Sequence, residues 1–337
     1  MLLDVMHSAL GTILSLVAAI IPLIFVHELG HLLAMKWRAV PVEAFGIGWL
    51  PPYWVFGRWG ETELRFSPWL IGGYALPAEG GMERSAAWEK VVILLAGVVF
   101  NAIFAVLITI ALLCVHGVPT AVPSVQGFSP ANTIGRDAGF ASGDVVVSVA
   151  GQPTNTAQAV ASIISKHPGD RVEVGVERAG AAVRLTVTPD SSGKIGVMLG
   201  GTLVSLGAGQ GILAALILNA EIAMGTLTEM GQAFSRPDQV HSVVGIAEES
   251  SYQLNQGSYR FGIWMVSLSW ALIWGNLLPI PILDGGRVLL VLVEAVKRKP
   301  LSETALIRAS AISYVLIIGL LGLGLFNDLF NSVSVPN

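Results

Sequence analysis

Residues 91–115 read VVILLAGVVFNAIFAVLITIALLCV, 25 residues without a charged side chain. A bilayer hydrocarbon core about 30 Å thick needs about 20 apolar residues in a helix, so this segment alone is long enough to cross a membrane. Three further stretches match it. Residues 8–26 (SALGTILSLVAAIIPLIFV) and 309–327 each hold 19 uncharged residues, and 261–283 hold 23. Of the 337 residues, 53% are hydrophobic and 12% are charged, against about 25% charged in soluble domains. Mean hydropathy is +0.68. The expectation is a polytopic α-helical membrane protein with four transmembrane helices. A soluble globular enzyme, a disordered chain and a disulfide-stapled secreted domain are excluded. Net charge is −4, with no basic run to hold nucleic acid, and the single cysteine, Cys114, rules out an intrachain disulfide.

The first stretch has no basic n-region and stays apolar through Leu32, Leu33, Ala34 and Met35. It reads as a retained helix rather than a signal peptide. Lys and Arg set the orientation. They are absent from residues 1–35 and 91–135. They gather at Lys36, Arg38, Arg58, Arg65, Arg84 and Lys90, and again at Lys297, Arg298, Lys299 and Arg308. Loops 36–90 and 295–308 are therefore expected in the cytoplasm, with both termini and residues 116–260 outside. The organisation expected is a first membrane half (1–115), an extracytoplasmic β-rich domain (116–200), a membrane-surface segment (201–260) and a second membrane half (261–337).

Within the outer insert, VVVSVAG (145–151) alternates as a strand, and 171–180 with 181–189 form a hairpin about Ala179-Gly180. Residues 156–166 (TAQAVASIISK) read as an amphipathic helix. This set resembles a PDZ domain, including Ser-Gly-Asp (142–144) before its strand and Gly151-Gln152-Pro153 after it; another small β domain is the alternative. Glu221 and Glu229 interrupt the apolar residues 211–234, which read as a surface amphipathic helix, with a fifth span as the alternative. Residues 41–80 are aromatic and β-prone, carrying Phe45, Trp49, Tyr53, Trp54, Phe56, Trp59, Phe66, Trp69 and Tyr74. Pro51, Pro52, Gly57 and Gly60 punctuate them. Two readings stand: a β-hairpin dipping into the bilayer and an interfacial aromatic belt.

The chemistry lies at the end of the first span, in His27-Glu28-Leu29-Gly30-His31. In this H-E-x-x-H pattern the histidines, four residues apart, emerge on one helix face and can share a metal. Glu28 is placed to take a proton from a water that the metal acidifies to a pKa of about 7. Ionisable groups inside a membrane helix are costly and functional by default. A catalytic zinc needs a third protein ligand. The third span offers Asp284 in Asn276-Leu277-Leu278-Pro279-Ile280-Pro281-Ile282-Leu283-Asp284-Gly285-Gly286-Arg287, the only acid between Glu249 and Glu294. Pro279 and Pro281 break the helix there. Asp284 also reads as a cap for the helix that follows. His27 lies about 28 Å along its helix from Ser8, and Asp284 is similarly far from the outer end of its span, so both fall toward the cytoplasmic side.

With HELGH (27–31), NLLPIPILDGGR (276–287), IGGYALP (71–77) and a PDZ-like insert in this order, the sequence resembles the site-2 protease family of intramembrane zinc metalloproteases. Within it, the sequence resembles the bacterial regulator-of-sigma-E-protease type. The resemblance covers nearly the whole chain. It implies one Zn²⁺ per chain on His27, His31 and Asp284, with Glu28 as general base. It implies that Asn276 and a membrane-entering hairpin ending at Gly72-Gly73-Tyr74 hold unwound substrate, the hairpin by adding a strand. Gly97, Asn101, Pro279, Pro281, Gly285 and Gly286 take structural roles. Partners would be the lipid bilayer and single-span membrane proteins, such as anti-sigma factors or remnant signal peptides, cut in a bacterial inner membrane. The PDZ-like domain would contact or filter substrate. Two departures stand out: there is room for one PDZ domain where two are common, and Val98 replaces the proline of a Gly-Pro-x-x-Asn pattern at 97–101. Asn101 is read either as a hydrogen bonder across helices or as a tolerated buried polar residue. The rival reading is a non-catalytic membrane PDZ adaptor or chaperone with a structural metal site, and zinc competes with Fe, Co or Mn.

Overall fold

The computed structural model describes residues 2–48, 50–70, 72–129, 132–204, 208–235 and 242–330. Trp49 and Ile71 of the motifs above lie outside them. The chain divides into two compact units, Met1–Leu112 with Ala215–Asn337, and Leu113–Ala214.

In the first unit, apolar runs form the long helices α1 (Leu2–Trp37) and α2 (Ala87–His116). Between them lie strands β1 (Val42–Ile47), β2 (Trp54–Trp59), β3 (Thr62–Phe66) and β4 (Gly73–Pro77). The expected hairpin is therefore a four-stranded sheet, ordered β2-β3-β1-β4. The two closest in sequence, β2 and β3, do form a hairpin. However, β1 pairs in parallel with β3 and antiparallel with β4. The reason is burial: Val42 and Phe45 of β1 pack on Leu32, Met35 and Ile93 of the helices, which makes β1 the centre of the sheet. β2 is exposed on both faces, with Phe56 69% accessible.

The second unit contains β5 (Val118–Phe128), α3 (Ile134–Asp137), β6 (Val145–Val149), β7 (Gln152–Pro153), α4 (Ala157–Ile164), β8 (Val172–Arg178), β9 (Ala181–Val187) and β10 (Val197–Val204). Its sheet runs β10-β5-β6-β8-β9, with β7 paired to β6. Val172, Val174 and Val176 alternate inward from β8 into a core with Val146, Val149 and Val160. Ala179 and Gly180 both take positive φ, as a two-residue hairpin turn requires. Thr156 caps α4 by accepting from the Ala159 amide.

The chain then continues as α5 (Ala208–Ser235), α6 (Val243–Asn255), α7 (Ser258–Asn276), α8 (Asp284–Lys297) and α9 (Glu303–Phe330). Among the described residues, four helices are long and apolar enough to cross a membrane: Ala9–Trp37, Ala87–His116, Gly211–Ala233 and Glu303–Asp328. Three coincide with expected spans. The fourth falls on 211–234, so by length and composition both readings of that segment, a surface helix and a fifth span, stand. Ala215, Asn219, Ala223 and Thr226 form a buried stripe at helical spacing, while Glu221 and Glu229 face outward. Asn219 Nδ2 donates to Thr109 Oγ1 of α2 (2.9 Å), and Trp270 Nε1 of α7 donates to Asn219 Oδ1 (3.0 Å). The expected span 261–283 is shorter: α7 stops at Asn276, and Pro279 and Pro281 lie in a non-helical link to α8. α6 starts against α9, where Asp328 Oδ2 accepts from the Ser242 amide (2.8 Å) and hydroxyl (2.5 Å).

In the second unit, Asp144 is buried and held by Arg178 Nε and Nη2 at 2.7 and 2.8 Å, with the Ala141 amide on the same carboxylate. The Arg178 guanidinium holds the Asp144 carboxyl below its usual range. A depressed folded value means the pair stabilises above the unfolded carboxylate pKa of about 3.9 and loses that contribution as pH falls through the lower folded value. Limited proteolysis of the full-length protein is expected to cut the Leu113–Ala214 unit faster in Asp144→Asn than in wild type at pH 7. That difference should shrink below about pH 4.

Candidate metal centre and active site

His27 and His31 face one side of α1, one turn apart, and Asp284 opens α8 directly opposite. Their Nε2 atoms are 3.1 Å apart, and Asp284 Oδ2 is 3.1 Å from that of His27 and 3.5 Å from that of His31. A tetrahedral zinc with bonds of 2.0–2.1 Å needs ligand atoms about 3.3 Å apart, so the donor set fits the ion. His31 Nδ1 lies 2.8 Å from the Ile93 carbonyl oxygen. A proton donated there leaves the Nε2 lone pair facing the centre. Asp284 Oδ2 and His27 Nδ1 are buried without a hydrogen-bond partner. For Asp284 Oδ2, such an orphaned acceptor is costly unless a cation satisfies it. The N-cap position of α8 is Leu283, not Asp284, and the donor geometry suits Asp284 to the ligand reading.

Two glycine sites admit this arrangement. A Cβ on Gly97 of α2 would lie 2.6 Å from His31 Nε2 and 2.7 Å from His27 Cε1. A Cβ on Gly286 would meet the Ile280 carbonyl oxygen at 2.0 Å, so the link through Pro279 and Pro281 folds back onto α8 only over glycine; Gly285 sits likewise against Leu277.

Glu28 lines the same cavity of about 390 Å³ as the three donors. Strand β4 forms its wall from Gly73 to Pro77, and Asn276 lies at the end of α7. β4 is an edge strand, and the Ala75 backbone lies near the Glu28 carboxylate.

The model of Peptidase family M50 matches residues 15–320. This chain belongs to that family. A Brucella suis protein assigned as a zinc metalloprotease is 30% identical, over 95% of each chain. The chloroplastic membrane metalloprotease ARASP of Arabidopsis thaliana is 27% identical, over 92% of this chain and 77% of its own. A solved PDZ domain of a Listeria monocytogenes SdrC-like protein aligns at 16% identity over 24% of this chain and 90% of its own, with TM-score 0.22. As an M50 peptidase the protein is a membrane zinc metalloprotease of the site-2 type.

Not every residue singled out in the sequence of this M50 peptidase reaches the cavity. Gly72 precedes β4 and is not part of the cavity wall, whereas Gly73 and Tyr74 are. Asn101 is fully buried, but its side chain meets no partner. Instead its backbone carbonyl accepts from Ser269 Oγ at 3.0 Å, so the bond across helices exists without the amide. Sequence reasoning missed Ala75, the Ile93 carbonyl and Arg287. The first two act through backbone atoms, which carry no side-chain signal. Arg287 was readable, three residues beyond Asp284 and so on the same helix face. Gly97→Ala is expected to push the histidines apart and weaken zinc binding at least about tenfold, by analogy with disrupted ligand-orienting contacts. Competition with a chelator on the purified protein would measure it.

Proposed function

We propose that this metalloprotease cuts transmembrane segments of single-span membrane proteins within the bilayer. The observation that carries the reading is the convergence, in one cavity among apolar helices, of a zinc-fitting donor set, a carboxylate and a free strand edge. One zinc per chain would be held by His27, His31 and Asp284; when bound, it supplies the Lewis acidity that lets a water ionise near pH 7.

The rest falls to the chain. A helical peptide bond is shielded by its own hydrogen bonds, so the substrate must unwind before attack. The outer edge of β4, at Gly73 and Tyr74, offers unpaired backbone groups to an extended segment, and Asn276 lies where its amide can take a further substrate backbone group. Glu28 accepts the proton of the attacking water and returns it to the departing amide nitrogen. Lys and Arg at 36–90 and 295–308 support a cytoplasmic position for those loops. The same rule supports an outer position for the termini and the Leu113–Ala214 unit in a bacterial inner membrane. There this unit, PDZ-like in its strand and helix pattern, would restrict which substrates approach.

The test is cleavage of a tagged single-span substrate in detergent. Glu28→Gln is expected to cut turnover about 10²–10⁴-fold with zinc retained at one per chain, and a chelator should stop wild type. Full activity in Glu28→Gln would overturn the general-base assignment. Failure of zinc-loaded wild type on several substrate helices already trimmed outside would overturn the protease reading of this site.

A further inference from the structure

Arg287 lines the active-site cavity together with His27, Glu28 and Asp284. It is the one Lys or Arg among the described lining residues. Its backbone is fixed in the first turn of α8, where its amide donates to the Leu283 carbonyl at 2.9 Å. Three residues separate it from Asp284, so the two side chains share a helix face.

Its side chain is unspent. Arg38, Arg58, Arg65, Arg178 and Arg184 each form an ion pair. Arg287 has no ion pair or side-chain hydrogen bond among the described residues, although two carboxylates line the same cavity. Both are otherwise engaged: Asp284 faces the histidines and Glu28 meets Ala75. A fork of five donors is thus left on an exposed side chain that lines the cavity.

Resting on the protease reading above, we infer that Arg287 is a catalytic residue that holds the oxygen of the scissile carbonyl. A peptide substrate is neutral there at first. As the water oxygen bonds to the carbonyl carbon, its proton passes to Glu28 and the carbonyl π pair moves onto the oxygen, which becomes anionic. The oxygen returns its pair as the C–N bond breaks, and the nitrogen leaves with the proton from Glu28. Charge therefore appears on that oxygen in the transition state, and returns on the product once the new carboxylic acid gives its hydroxyl proton to solvent. A guanidinium aimed at it stabilises both more than the neutral substrate.

The experiment compares wild type, Arg287→Gln, Arg287→Lys and Arg287→Ala at full length in detergent, on one tagged single-span substrate. Arg287→Gln is expected to lower kcat about 10²-fold with KM changed less than about threefold and zinc content intact. Arg287→Lys should keep part of the activity, and added guanidinium should restore part of it to Arg287→Ala. The cleavage-product peptide ending in a free carboxylate should bind Arg287→Gln about tenfold more weakly than wild type, while its amidated form binds both equally. Unchanged kcat, a change confined to KM, or loss of zinc in Arg287→Gln would overturn the inference, the last two marking a flanking or structural role. If wild type itself fails to cleave, the protease reading falls. The carboxylate and amide peptides still decide whether Arg287 holds an anion.

Discussion

Two imidazole nitrogens and a carboxylate oxygen lie 3.1–3.5 Å from one another among apolar helices. Such polar atoms cannot be left unmatched away from water without a penalty of several kcal/mol, and a divalent cation is the partner their spacing fits. Much of the first unit serves this convergence. α1 supplies two donors because residues four apart share a face. α2 comes close enough to shelter them because Gly97 has no side chain. α8 delivers Asp284 because the chain stops being helical after Asn276 and starts again at Asp284.

The sheet meets the same centre from another side. β1 is anchored by the core that Leu32, Met35 and Ile93 provide, so β4, its outer neighbour, is held along the cavity with its far edge unpaired. An edge strand is ordinarily a liability. Beside a carboxylate and a metal-fitting donor set, it becomes a template for an extended substrate. The exposed apolar faces of β2 belong to the same sheet but are far less packed than β1. The sheet therefore grades from a buried strand beside the site to one open to its surroundings.

Two asparagines show how differently buried amides are handled in this unit. Asn219 is satisfied at both ends, by Thr109 and Trp270, and ties three helices together. Asn101 lies fully buried with its amide unpaired, and the contact to α7 runs through its backbone carbonyl. Its side chain thus matches the reading of a tolerated buried polar residue, and the backbone makes the contact.

The sequence by itself determined much of this protein. Uncharged runs near 20 residues located three of the four helices long and apolar enough to cross a membrane among the described residues, because bilayer thickness imposes a length. The HELGH spacing located two donors, because 3.6 residues per turn puts i and i+4 together. The LDGG run after two prolines located the third. Alternating valines and the Ala179-Gly180 turn drew the hairpin of the second unit. Tertiary structure alone decided what depends on partners distant in sequence. β1 sits between β3 and β4 because helices bury it, a choice local propensity does not encode. Asn219 and Ala223 of α5 bond to α2 and α7, partners that lie far off in sequence. Among the described residues, Arg287 lines the cavity of Asp284 and Glu28 without an ion pair to either. Periodicity and spacing are local and therefore legible; pairing order, close approach and the partners a charge lacks are set by what the folded chain brings near.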